Sequence, residues 1–63
     1  MITTERDMDP HSLDILRDGV RIGFVHWHPG REPRIELRAA GHLTLKEIDT
    51  VREQYQAARA IPL

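Results

Sequence analysis

The run Ser12-Leu13-Asp14-Ile15-Leu16-Arg17-Asp18-Gly19-Val20-Arg21-Ile22-Gly23-Phe24-Val25-His26-Trp27 decides the fold. Two strand-like segments, Ser12 to Arg17 and Val20 to Trp27, flank Asp18-Gly19, a pair suited to a two-residue type I′ turn in which both residues need positive φ. Such a turn sets a register: Arg17 opposite Val20, Ile15 opposite Ile22, Leu13 opposite Phe24 and His11 opposite His26. Side chains alternate with period two along a strand, so Leu13, Ile15, Ile22 and Phe24 are expected on one buried face. Leu16, Arg21, Gly23, Val25 and Trp27 are then expected on the other.

Outward from the hairpin, Pro29-Gly30 and Pro33 mark a loop, and Arg34-Ile35-Glu36-Leu37-Arg38 alternates strictly. This third strand is expected to run antiparallel to the second, with Leu37 opposite Phe24, Ile35 opposite His26, Trp27 opposite Arg34 and Val25 opposite Glu36. A helix follows with a clear start. Thr44 and Glu47 have the spacing of a capping box, in which each side chain satisfies a backbone N–H of the other residue, and Leu43 and Ile48 have that of a hydrophobic staple. Leu45, Ile48, Val51, Tyr55 and Ala58 fall on one stripe, Lys46, Asp49, Glu53 and Gln56 on the other side, and Pro62 is expected to end the helix.

Residues 1–10 are polar, lack periodicity and end in Asp9-Pro10, which reads as a flexible tail. Residues 11–63 are read as a single small domain. The expected class is α+β: a three-stranded antiparallel meander with one C-terminal helix packed on one face, β-β-β-α. The expected core is Leu13, Ile15, Ile22, Phe24, Ile35, Leu37, Leu43, Leu45, Ile48, Val51, Tyr55 and Ala58. Such a core is small, because 63 residues lie near the lower limit for unaided folding. A homodimer covering the other sheet face would add to it.

The chain has no cysteine, which excludes disulfides, thiolate nucleophiles and cysteine-ligated metals. No basic and apolar leader opens it and no apolar run is long enough to span a bilayer, so a cytoplasmic protein without a membrane partner is expected. Nine basic and ten acidic residues leave a net charge of -1, which gives no general attraction to nucleic acid or anionic lipid. The strands are locally richer in arginine, with residues 17, 21, 31, 34 and 38 against Asp18, Glu32 and Glu36.

His11, His26 and His28 are placed together at one end of the sheet by the expected register, the number of imidazoles used by some zinc sites. His-x-His by itself is a common strand-end pattern and no carboxylate is fixed beside it, so no metal and no cofactor is expected. Catalysis has less support: the single serine, Ser12, is expected on the face opposite His11, and no carboxylate pair falls in an apolar setting. The expectation is a protein that is not an enzyme.

The open sheet face carries the functional expectation. Leu16, Val25 and Trp27 form an apolar strip there, flanked by Arg21, Arg34 and Arg38. Tryptophan and arginine are enriched at protein–protein hot spots, and a guanidinium over an indole adds about 0.5–1 kcal/mol at exposed sites. The alternative to a partner site is a Trp27–Arg34 cross-strand pair that only stabilises the sheet. The expected function is a small binding module that engages a protein partner, or itself as a homodimer, through this face. An inhibitor or adaptor of phage or mobile-element type would have this size. Sheet-mediated DNA binding through Arg21, Arg34 and Arg38 is the rival reading, by analogy with folds that lay a sheet in the major groove.

Overall fold

The chain reverses at Asp18 (φ 51°) and Gly19 (φ 84°), both left-handed as a type I′ turn requires. The computed structural model describes residues 1–60. It contains β1 (Ile2–Arg6), β2 (Ser12–Arg17), β3 (Val20–His26), β4 (Arg34–Leu37) and α1 (Leu45–Ala60). The four strands form one antiparallel sheet in the order β1-β2-β3-β4, with α1 across one face. The class is α+β, as the sequence predicts, but there are four strands rather than three.

The extra strand comes from the segment expected to be a tail. Ile2 pairs with Arg17, Thr4 with Ile15 and Arg6 with Leu13. Ile2, Thr4 and Arg6 point toward the helix: Ile2 is buried, the Thr4 hydroxyl donates to Gln54 Oε1 at 3.3 Å, and the Arg6 guanidinium donates to the Ala58 carbonyl at 2.8 Å. Only one of the three is apolar. Strand alternation is therefore nearly silent in the sequence, and the β-branched run Ile2-Thr3-Thr4 is its one trace.

The hairpin departs from its expected register after one further pair. Arg17 faces Val20 and Leu16 faces Arg21, but Ile15 then faces Gly23, Asp14 faces Phe24, Leu13 faces Val25 and Ser12 faces His26. Ile22 is the extra residue of a β-bulge, and beyond it every side chain of β3 changes face. Val25 and Trp27 join Ile2, Leu13, Ile15, Val51 and Tyr55 in the core, while Ile22 packs against it partly buried. Phe24 moves to the opposite face.

Area explains which set is buried. A tryptophan can bury up to about 250 Å², worth on the order of 6 kcal/mol at about 25 cal/mol per Å². Burying Trp27 and Val25 while retaining part of Ile22 outweighs burying Phe24, against about 1 kcal/mol for a ladder hydrogen bond lost at the bulge. Gly23 makes the arrangement sterically feasible, because a Cβ there would collide with the Glu36 carbonyl oxygen and the Leu37 backbone of β4. The third strand consequently pairs one residue out of the expected register: Gly23 with Leu37, Phe24 with Glu36, Val25 with Ile35 and His26 with Arg34.

The helix starts as expected. The Thr44 amide donates to Glu47 Oε1 at 2.9 Å, and the Glu47 amide donates to Thr44 Oγ1 at 3.1 Å, which closes the capping box. Val51 and Tyr55 are buried and Ile48 and Ala58 are half-buried, but Leu45 at the first helical position is 84% exposed. Pro62, expected to end the helix, lies outside the described residues.

Candidate interaction surface

Two of the expected partner-binding residues change status. Trp27 and Val25 are 7% and 2% exposed beneath the helix, and the Trp27 ring meets Tyr55 edge-on at 5.1 Å. Trp27 is not opposite Arg34; its amide donates to the His11 carbonyl at 3.0 Å. Leu16 remains on the open face, half-buried beside Arg21. The aromatic residue on that face is Phe24. Period-two alternation would have found it only with the bulge already known.

The three arginines expected to rim the face are all exposed, in different settings. Arg21 Nε donates to Asp14 Oδ1 at 3.0 Å, and its guanidinium lies 5.6 Å from the Phe24 ring centre. Arg34 is opposite His26 on β4. Arg38 follows β4, and its amide donates to the Ile22 carbonyl at 2.8 Å. A shallow depression of about 430 Å³ runs past Arg21, Phe24, Glu36 and Arg38. Its charged groups alternate in sign.

Strand β4 is the least covered element of the sheet. All four of its residues are exposed, and it pairs with β3 on one side only. Ile35 and Leu37 lie on the helix side, across from Val25 and Gly23, yet remain 41% and 37% exposed because α1 packs toward the opposite edge. A groove of about 350 Å³ between strand and helix is lined by Val25, Pro33, Ile35, Ile48, Val51 and Tyr55. Glu32, Arg52 and Gln56 also line it, and it lies next to a strand edge whose backbone N–H and C=O groups have no partner strand among the described residues.

The histidines do not gather as expected. His11 lies edge-on to the Trp27 ring with centroids 6.2 Å apart, while His26 and His28 form a separate pair with Nε2 atoms 3.0 Å apart. One ring donates and the other accepts in that contact. A carboxylate does stand nearby, Asp9 Oδ2 at 3.9 Å from His26 Nδ1. Among the described residues, no three metal-ligating side chains come together.

One polar constellation has a structural role. Arg17 points to the helix side, donating to both Glu47 carboxylate oxygens at 2.6 and 2.9 Å and to the His42 carbonyl at 2.8 Å. The guanidinium first, and then the Thr44 amide, hold the Glu47 carboxyl down at about 2 from an ordinary 4.5. Arg17 is correspondingly raised by the same hydrogen bond. This fork ties the end of β2 to the helix start and fixes how α1 crosses the sheet.

A cleft of about 730 Å³ lies at the far end of the sheet, with Arg6, His11, Trp27, Arg31, Tyr55 and Arg59 among its walls. Two of its arginines are engaged internally: Arg6 on the Ala58 carbonyl, and Arg59 on the Tyr55 hydroxyl at 3.1 Å and over its ring at 5.5 Å. No helix among the described residues is long and apolar enough to cross a membrane. No protein-family model, curated protein or solved structure matches this chain.

Proposed function

We propose that the protein is a non-enzymatic binding module that engages a protein partner, or a second copy of itself, through its exposed sheet. The surface used is the bare edge of β4 with the adjoining open face around Phe24 and Leu16, rather than Trp27 and Val25. The observation that carries this reading is that β4 is exposed at every residue, including the apolar Ile35 and Leu37, and that Ile35 lines a groove shared with Val25, Ile48 and Val51. Strand addition at such an edge draws affinity from main-chain hydrogen bonds and specificity from pockets for alternate side chains. An inhibitor or adaptor role in the cytoplasm fits a small module and a cysteine-free chain.

A protein partner is favoured over DNA on electrostatic grounds. Arg21 is committed to Asp14, and Glu36 stands between Arg34 and Arg38, so the face lacks the unbroken positive field that phosphate neutralisation needs. The test is capture of the host complex by wild type and by Ile35→Lys. Because Ile35 is largely exposed, the variant is expected to keep the wild-type circular dichroism spectrum and to lose the partner. A complex that survives the substitution removes β4 from the interface. Retention on DNA that falls steeply with salt and weakens in Arg34→Ala and Arg38→Ala would support the nucleic-acid reading instead.

A further inference from the structure

We propose that the occupant of the β4 edge is β4 of a second copy, paired antiparallel about a two-fold axis that passes through Ile35; this rests on the reading of β4 as the docking edge. Antiparallel pairing of identical edges places the axis perpendicular to the sheet, so both helices lie on the same side. Directly opposite residues must then share a face, and the axis passes through a residue rather than between two. Only a few centres are available on a strand of four residues.

Charge and strand length select among them: a centre at Leu37 would also pair opposite charges, Glu36 with the partner's Arg38, but β4 ends at Leu37 and the ladder would run past the strand. With Ile35 on the axis, Arg34 meets the partner's Glu36 and Glu36 meets the partner's Arg34 on the open face, while Ile35 meets the partner's Ile35 on the apolar side. The flanks continue the pattern, since Pro33 falls opposite the partner's Leu37 and Glu32 opposite the partner's Arg38. The stretch Glu32-Pro33-Arg34-Ile35-Glu36-Leu37-Arg38 is thus complementary to its own reverse. A centre at Glu36 would set Glu36 against the partner's Glu36 and Arg34 against the partner's Arg38. A centre at Arg34 would set Arg34 against the partner's Arg34. Like charges directly opposite one another are destabilising, and opposite charges stabilise.

The geometry of the fold agrees with this register. Gly23 lets β4 approach β3 closely, so the free edge is presented by a strand firmly seated on the sheet. Pro33 has no N–H to donate and bounds the new ladder at Arg34. Joining two such edges makes a continuous eight-stranded sheet and covers Ile35 and Leu37, the apolar residues that α1 leaves open. The interface is isologous, as a two-fold dimer requires.

The test is sedimentation of the whole chain at concentrations up to the millimolar range, comparing wild type with Arg34→Glu and Glu36→Arg, each alone and then mixed in equal amounts. Wild type is expected to dimerise. Each single variant is expected to self-associate at least about tenfold more weakly, because two attractive pairs become repulsive. The mixture is expected to recover the dimer, since every reversed charge then faces its opposite. A wild-type dimer with single variants unchanged, or with no recovery on mixing, overturns the register. A monomeric wild type overturns the second copy as occupant. In that case, loss of the host complex in Ile35→Lys leaves the docking edge standing, and retention of the host complex overturns both.

Discussion

The two edges of the sheet are built differently. At β1, Ile2 is buried and Thr4 and Arg6 hydrogen-bond to α1, so the edge strand is fastened to the helix by side chains. At β4, no residue is buried, the apolar pair Ile35 and Leu37 is exposed, and Ile35 lines an open groove beside the helix. The helix thus covers one side of the sheet asymmetrically. An edge sealed by its own chain contributes stability, whereas one left bare offers its hydrogen-bonding groups to another strand.

The sharpest test of this contrast is a matched pair of truncations. Ile2→Ala at the β1 edge, 8% exposed, is expected to lose about 2–5 kcal/mol in urea unfolding. Ile35→Ala at the bare edge, measured below the concentration at which copies associate, is expected to change stability by less than about 1 kcal/mol. Comparable losses at the two sites would mean that β4 is as firmly covered as β1. Next in size is Gly23→Ala, where the added methyl meets the Glu36 carbonyl. It is expected to cost about 1–3 kcal/mol and to speed hydrogen exchange of the β3–β4 amides more than those between β1 and β2.

Acid sharpens the comparison from the other side. Glu47 is held at about 2, below its ordinary 4.5, by Arg17 and the Thr44 amide. A depressed carboxyl stabilises the fold above its unfolded value, and this contribution is lost as pH falls from about 4.5 toward about 2. Melting temperature is expected to drop through that window in wild type and to drop less in Glu47→Gln. Equal slopes would remove the Arg17–Glu47 fork as the contact that seats the helix. The smallest effect is expected for Leu45→Gln, 84% exposed, which should leave the melting temperature within about 4 °C of wild type if its cost stays under about 0.5 kcal/mol.

Much of the element order was legible because it rests on local chemistry. Asp18-Gly19 specifies its turn through positive φ, and Thr44 and Glu47 specify the helix start through reciprocal hydrogen bonds three residues apart. Strand phase was not legible to the same degree. β3 carries two alternating apolar sets, Ile22 with Phe24 and Val25 with Trp27, and alternation by itself cannot rank them. The type I′ turn favours the first set near the hairpin. The larger area of Trp27 favours the second farther along, and the bulge at Ile22 accommodates both.

The candidate surface inherits that ambiguity. A shift of one residue exchanged Trp27 for Phe24 on the open face and moved Arg34 from Trp27 to His26. β1 was missed because its contacts with α1 are mostly polar and span about fifty residues of chain. Turn, cap and helical stripe are interactions between residues a few positions apart, so composition and spacing are sufficient to specify them. Which face of β3 is buried, where β1 docks and why β4 stays bare depend on the area that one helix can cover, a quantity set only when distant segments meet.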